Sequence, residues 1–335
     1  MKKILLIANY KSGVGGIAVQ LELLYRKLNE ERINSDIFST QGTWFYRFFV
    51  LFKLILKGKK YDVFYIHGCS YFGGFFPIII GVTVGKMLRK KIIVTYHGGD
   101  AESFFKNSKS LVRFFLTKTD VNIVLSKFLG EIFSKFSIPF IIIPNIVEFS
   151  SEQFVLRNVI QPNYISVRAL TKTYNIDCIL KAFFIVQQKL PEAKLIILGD
   201  GECRAELENL AKNLNLQNIH FVGRVNNDEI YNYLSKTDVF VSSPVIDNQP
   251  MSILEAYNAG LLVISSKVGG VPYMLEDRKT GLLFESDNEN ELAEKMFLAV
   301  EKPEITKKII RQANKELEKY SWDKIKHKLL TIILE

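Results

Sequence analysis

Three cysteines, four histidines and two tryptophans are scattered through 335 residues, and their spacing builds no chemistry. Cys69, Cys178 and Cys203 are odd in number and far apart, which excludes a disulfide scaffold and fits a reduced, cytoplasmic protein. His67, His97, His220 and His327 are too dispersed for a zinc site, and no Asp-x-Asp triplet occurs, so no metal is expected. Repeats, low-complexity segments and nucleic-acid motifs are also missing. The charge-free stretch 63–85 invites a membrane reading. However, it carries His67, glycines 68, 73, 74 and 81 and Pro77, and it divides into strand, loop and helix rather than one span. The opening Met-Lys-Lys-Ile-Leu-Leu-Ile-Ala is too short for a signal peptide and precedes no small-residue cleavage site.

What is present is ample apolar material, 48% of the chain, enough for the cores of about two domains. The net charge of +9 is unevenly placed: residues 1–150 hold 21 basic and 10 acidic side chains, a balance of +11, leaving −2 for the remainder. Such asymmetry points the first half at an anionic partner, and a membrane surface fits better than nucleic acid. Residues 44–60 are the most membrane-like segment, a helix with Arg47, Lys53 and Lys57 on one side and apolar residues elsewhere. The same pattern also describes a helix packed on its own sheet.

Strand and helix signals alternate in both halves, predicting an α/β protein of two doubly wound parallel-sheet domains, 1–150 and 151–318, with a final helix in 319–335. Residues 242–272 are the most informative stretch, reading as loop, helix, strand, loop. A strand ends at Val241, Pro250 suits the first helical turn, Gly260 stops the helix, Leu261–Ile264 is a buried strand, and Gly269-Gly270 opens a second loop on the same edge. Two loops beside a helix N-terminus favour an anionic ligand. Asp247 and Glu255 would repel phosphate and are better read as acceptors for sugar hydroxyls.

The spacing of Asp247 and Glu255 around Pro250 and Ser252–Ala256 resembles the Glu-x7-Glu signature of retaining, nucleotide-sugar-dependent glycosyltransferases of the GT-B fold, with Asp in place of the first Glu. The resemblance extends over essentially the whole chain. It implies two Rossmann-like domains facing a central cleft, an acceptor-binding first domain, a donor-binding second domain, and a last helix from Tyr320-Ser321-Trp322-Asp323 crossing back to the first. It implies that Glu255 holds the nucleotide ribose and that Asp247 lies by the donor sugar. Asn248, Gln249, Pro250, Met251 and Ser252 would form the donor-binding loop and helix start, and Gly223 and Val225 would border the base. The loop at Gly13, Gly15 and Gly16 would meet the diphosphate-sugar end, and His97, in His97-Gly98-Gly99-Asp100, the donor sugar. Pro144-Asn145 resembles the interdomain turn. Where this family keeps an Arg and a Lys on the diphosphate, this chain offers Arg168 and Lys172, with Tyr174 near the Lys position and Asn175 replacing a glycine.

The implied reaction moves a sugar from a UDP- or GDP-linked donor to an acceptor hydroxyl, without cofactor or metal, in cell-surface polysaccharide or glycolipid synthesis. The implied location is cytoplasmic, with the basic half on the membrane's cytoplasmic face. Two other classes stay open at this point. Gly13, Gly15 and Ala18 match the Gly-x-Gly-x-x-Gly/Ala fingerprint of an NAD(P)-linked oxidoreductase, although Asp36 begins its strand where that fingerprint wants an acid at the end. A non-catalytic membrane-surface protein would also use the basic half. His67 reads as a core histidine.

Overall fold

A computed structural model describes residues 2–12, 15–42, 44–149 and 151–335, excluding the side chains of residues 44–48 and 151. The chain divides into two compact units, Met1–Ile146 with Trp322–Glu335, and Val147–Ser321.

The first unit runs β1 (Ile4–Ala8), α1 (Gly16–Glu30), β2 (Ser35–Ser39), α2 (Trp44–Gly58), β3 (Val63–Gly68), α3 (Tyr71–Met87), β4 (Lys91–Tyr96), α4 (Ala101–Asn107), α5 (Lys109–Leu116), β5 (Val121–Val124), α6 (Lys127–Lys135) and β6 (Ile141–Ile142). Its strands form one sheet, ordered β2-β1-β3-β4-β5-β6, and every pairing is parallel. Parallel strands need crossovers, and helices on both faces explain why β1 and β3 are buried throughout. Leu5, Ile7, Phe64, Ile66, Ile92 and Val94 face the layer of α2–α6. Ile4, Leu6, Val63, Tyr65, Ile93 and Ile123 face the opposite layer. Burying one such side chain fully contributes about 1.5–3 kcal/mol, so this alternation fixes the register. The charge-free stretch is β3 and α3, and among the described residues no helix is long and apolar enough to cross a membrane.

The second unit continues with β7 (Asn163–Val167), α7 (Ile176–Lys189), β8 (Lys194–Leu198), α8 (Arg204–Asn213), β9 (Ile219–Gly223), α9 (Asn227–Leu234), β10 (Val239–Ser242), α10 (Met251–Asn258), β11 (Leu262–Ser266), β12 (Leu282–Phe284), α11 (Glu289–Glu301) and α12 (Pro303–Glu316). The sheet is again six-stranded and parallel, ordered β12-β11-β10-β7-β8-β9. The last helix, α13 (Trp322–Leu334), belongs to the first unit, where Trp322, Ile325, Leu329 and Ile333 pack against α1 and the sheet. Trp322 Nε1 donates to Glu31 Oε1 at 3.0 Å.

Arg157 organises one end of the second unit. Its guanidinium donates to the carbonyls of Leu234 and Ser235 at the end of α9, and to those of Ala259 and Gly260 at the end of α10. Helix C-termini leave carbonyls unpaired and carry partial negative charge, so one cation completes two helices at once.

Candidate functional site

In an open parallel sheet, ligands meet the carboxyl ends of strands where the strand order reverses. In the second unit that point lies between β7 and β10. Arg168 is the first residue after β7. Its Nε donates to Ser242 Oγ, at the end of β10, at 3.1 Å, and its Nη2 lies 3.1 Å from Asp247 Oδ2. The two side chains are only 8% and 17% exposed, so water screens their attraction weakly. The Tyr174 ring supports the guanidinium, with the Arg168 Cζ 5.1 Å from its centroid. Tyr174 occupies the place where the resemblance expected a lysine, and here it is a platform for the cation.

The other oxygen of Asp247 accepts from Asn248 N at 2.8 Å, turning the chain toward α10. Gly270 N donates to the Asp247 carbonyl at 2.9 Å. A Cβ on Gly269 would stand 2.0 Å from that carbonyl oxygen, and one on Gly270 would stand 1.9 Å from the Asn248 carbonyl oxygen. Only glycine lets the second loop lie directly on the first. Pro250 stands one place earlier than the sequence suggested. Its ψ of 117° makes it the capping residue before Met251: its backbone is still extended, while its carbonyl already accepts from Ile253 N at 3.2 Å.

Ser252 and Glu255 share one face of α10, three residues apart. The Ser252 hydroxyl is buried and has no hydrogen-bond partner among the described residues. Burial pushes the Glu255 carboxyl above its usual range, while the charge of Arg168 pulls it the other way, so the two groups share one field. Gln249, two residues ahead of α10, is half-buried and its side chain hydrogen-bonds Tyr320.

Lys172 and Tyr174 sit on a 3₁₀ turn, Lys172 being exposed. Asn175 follows at φ 47° and ψ 49°, the left-handed conformation a glycine would take and asparagine tolerates. Ser243 Oγ donates to the carbonyls of Tyr174 and Asn175 at 3.0 and 2.7 Å, stapling the turn beneath Arg168. Gly223 ends β9 on the same sheet edge, its carbonyl accepting from Gly199 N at 2.9 Å, and Val225 packs into the neighbouring apolar cluster.

In the first unit, strand order reverses between β1 and β3. Gly15 caps α1 at φ 84° and Gly16 begins it; a Cβ added at either would meet nothing within 4 Å, so the space there is open. Gly13 lies outside the described residues. Asp36 is near the start of β2 and accepts from the Tyr61 hydroxyl, so no acid stands where a dinucleotide fingerprint needs one. His97 lies just past β4, half-buried, with its Nε2 2.9 Å from His67 Nδ1 and the two rings stacked 5.1 Å apart. Burial pushes His97 down to about 4, and burial plus the neighbouring ring hold His67 well below its ordinary value. Both imidazoles are therefore neutral at neutral pH. His67 is buried, as expected of a core histidine, but its pairing with His97, thirty residues away, was not legible in the sequence.

The anticipated basic side of α2 differs from expectation. Lys57 turns back and donates to the Ile37 carbonyl at 3.2 Å, because the long stem can cover its own sheet. The Arg47 side chain lies outside the described residues. Phe49, Phe52 and Leu56 are outward instead, each more than half exposed, beside exposed Lys53.

Both halves of the chain match families of known proteins. Residues 151–316 match the profile of Glycosyl transferases group 1, and residues 28–150 that of Glycosyltransferase Family 4. An α-1,4-N-acetyl-D-galactosaminyltransferase of Campylobacter jejuni acting on an undecaprenol-diphosphate-linked saccharide is 26% identical over 94% of this chain and 88% of its own. The sulfoquinovosyl transferase of Arabidopsis thaliana is 31% identical over 41% of this chain, a stretch that is only 27% of that longer protein. Among solved structures, Anabaena HepE in complex with UDP and glucose superposes with a TM-score of 0.80 at 16% identity, covering 99% of each chain. Sucrose-phosphate synthase from Thermosynechococcus elongatus gives 0.81 at 16% identity over 99% and 98%. The two sheets are thus the GT-B fold, the oxidoreductase and non-catalytic alternatives fall away, and the chain is a retaining glycosyltransferase of group 1.

Proposed function

We propose that this enzyme moves a sugar from a UDP-linked donor to a hydroxyl of a lipid-linked saccharide, in cell-surface polysaccharide or glycolipid synthesis. The observation that carries the reading is the buried Arg168, held by Ser242, Asp247 and Tyr174 at the reversal point of the second sheet beside the start of α10. The leaving diphosphate needs positive charge and N–H donors, which Arg168, exposed Lys172 and the Met251–Ser252 amides supply. Glu255 accepts from the ribose hydroxyls, Asp247 from a hydroxyl of the donor sugar, and Gly223 and Val225 border the base. On the first unit, the open helix start at Gly15-Gly16 and the neutral His97 are the groups assigned to the sugar end. In the reaction the anomeric C–O bond to phosphate breaks. The acceptor oxygen bonds to the same face of that carbon, and its proton passes to the departing phosphate oxygen. No metal enters this scheme.

The acceptor's lipid character is supported by the outer layer of the first unit. α2, α3 and α5 pack side by side on one face of the sheet. Their outer sides carry Phe49, Phe52, Leu56, Phe72, Met87 and Phe114, all more than half exposed. Exposed Lys53, Lys59, Lys60, Lys86 and Lys109 lie around them. Apolar side chains ringed by cations suit an anionic bilayer interface, with each cation contributing about 1 kcal/mol.

Melting curves with UDP-, GDP- and ADP-sugars test the donor, because a ligand of the native state raises the melting temperature by mass action. Stabilisation by a UDP-sugar is the expected result. Stabilisation by none of the three would overturn the assignment.

A further inference from the structure

We infer that His67 is a positioning residue: its Nδ1–H donates to His97 Nε2 and so holds His97 with its own proton on Nδ1. The inference deepens the proposed function, resting on the reading of His97 as a group that meets the donor sugar.

Two imidazole nitrogens 2.9 Å apart can share one hydrogen, so one ring donates and the other accepts. If His97 donated, His67 would carry its hydrogen on Nε2. That atom is buried without a partner among the described residues, and an orphaned buried N–H is rarer and costlier than an orphaned acceptor. The surrounding acceptors are already engaged. His67 and His97 line a cavity of about 30 Å³ with Gln20, Tyr65 and Thr95. Thr95 Oγ1 donates to the Tyr65 hydroxyl at 2.9 Å, and the Gln20 side chain is paired in both directions with the backbone of Ile146. Among the described residues no Asp, Glu, Lys or Arg lines this cavity; the Tyr65 phenol there is pushed by burial up to about 12. Nothing there favours an imidazolium. The pair is thus two neutral rings in one tautomeric arrangement, and His97 presents a hydrogen-bond donor where free imidazole would favour the other nitrogen.

The chain has only four histidines, so ring-nitrogen NMR of the histidine-labelled full-length protein resolves each of them. At pH 7 the expected spectrum shows His97 protonated on Nδ1. In His67→Phe it should change to the Nε2-protonated form. In His67→Asn it should stay as in the wild type, because the carboxamide N–H can replace the donor. The kinetic counterpart is a kcat about tenfold lower in His67→Phe, with donor affinity retained and kcat largely restored in His67→Asn. Nε2 protonation of His97 in the wild type overturns the inference, as does an unchanged His97 tautomer in His67→Phe. If His67→Phe does not fold, the wild-type and His67→Asn spectra decide by themselves. Absence of transfer from any sugar nucleotide would instead remove the functional reading, while the ring-proton assignment stands independently.

Discussion

Arg168 Nη2 stands 3.1 Å from Asp247 Oδ2, so the cation assigned to the diphosphate is held by an acid assigned to the sugar. Each depends on the other for its position. Arg168→Ala should lower turnover by a hundredfold or more while weakening free UDP binding less, on the order of an oxyanion-type contact worth about 3–4 kcal/mol. Arg168→Lys should recover little, since one ammonium cannot reach Ser242 and Asp247 together. Lys172→Ala, at an exposed site, should cost less than tenfold. Steady-state kinetics beside UDP calorimetry measure both quantities, and undiminished turnover in Arg168→Ala would reject its role.

Glu255→Gln should separate function from stability. Loss of a charge-assisted bond of about 1.5–3 kcal/mol should weaken donor binding roughly ten- to hundredfold. The folded-state pKa of Glu255 is raised, so the native protein binds more protons than the unfolded chain just above the ordinary carboxylate range. Stability involving this group is full below the unfolded pKa and falls as pH rises through the folded one. At pH 7 the variant should therefore melt no lower than the wild type, and the difference should vanish below about pH 4. A clear drop in melting temperature at pH 7 would contradict this.

Arg157→Ala should destabilise the second unit by about 3 kcal/mol, because carbonyls at the ends of α9 and α10 lose a charged donor together. A lower denaturant midpoint is the readout. A change within 0.5 kcal/mol, roughly what a neutral surface substitution gives, would show that water replaces the guanidinium.

Vesicle binding should follow the outer layer of α2, α3 and α5. The wild type should sediment with anionic vesicles at low salt and release as salt rises. A Phe49/Phe52/Leu56→Ser variant should bind anionic vesicles weakly at any salt, whereas Lys53→Glu should shift only the salt dependence. Failure of the wild type to bind anionic vesicles at low salt would point to a soluble acceptor.

Much of this was legible in the sequence, and the reasons are local. Strand β8 follows from Lys194–Leu198 alone, and the 242–272 stretch announces its two loops through Pro250, Gly260 and Gly269-Gly270, each a residue with a backbone constraint. The Ser126 cap of α6 is equally local. What sequence could not supply was pairing at a distance. Tyr174 beneath Arg168, Ser243 stapling Asn175, and His67 against His97 depend on which strands become neighbours, and Lys57 folding back onto Ile37 depends on where α2 lands. A helical wheel assigns sides to a helix but does not say which side meets the sheet.

The place of α13 in the first unit sets the order in which the protein can be completed. Ribosomes deliver residues 322–335 only after all of Val147–Ser321, so the second unit can fold while the first still lacks a helix. Until then Ile4, Leu6, Tyr65 and Ile93 lack their cover from Trp322, Ile325, Leu329 and Ile333. The nascent first unit thus presents an apolar sheet face that only α1 covers, and only in part, for the whole time its partner is being made. A chain ending at Ser321 should remain in that state, binding hydrophobic dyes and chaperones where the full chain does not. Translation, not packing alone, decides when the sheet is sealed.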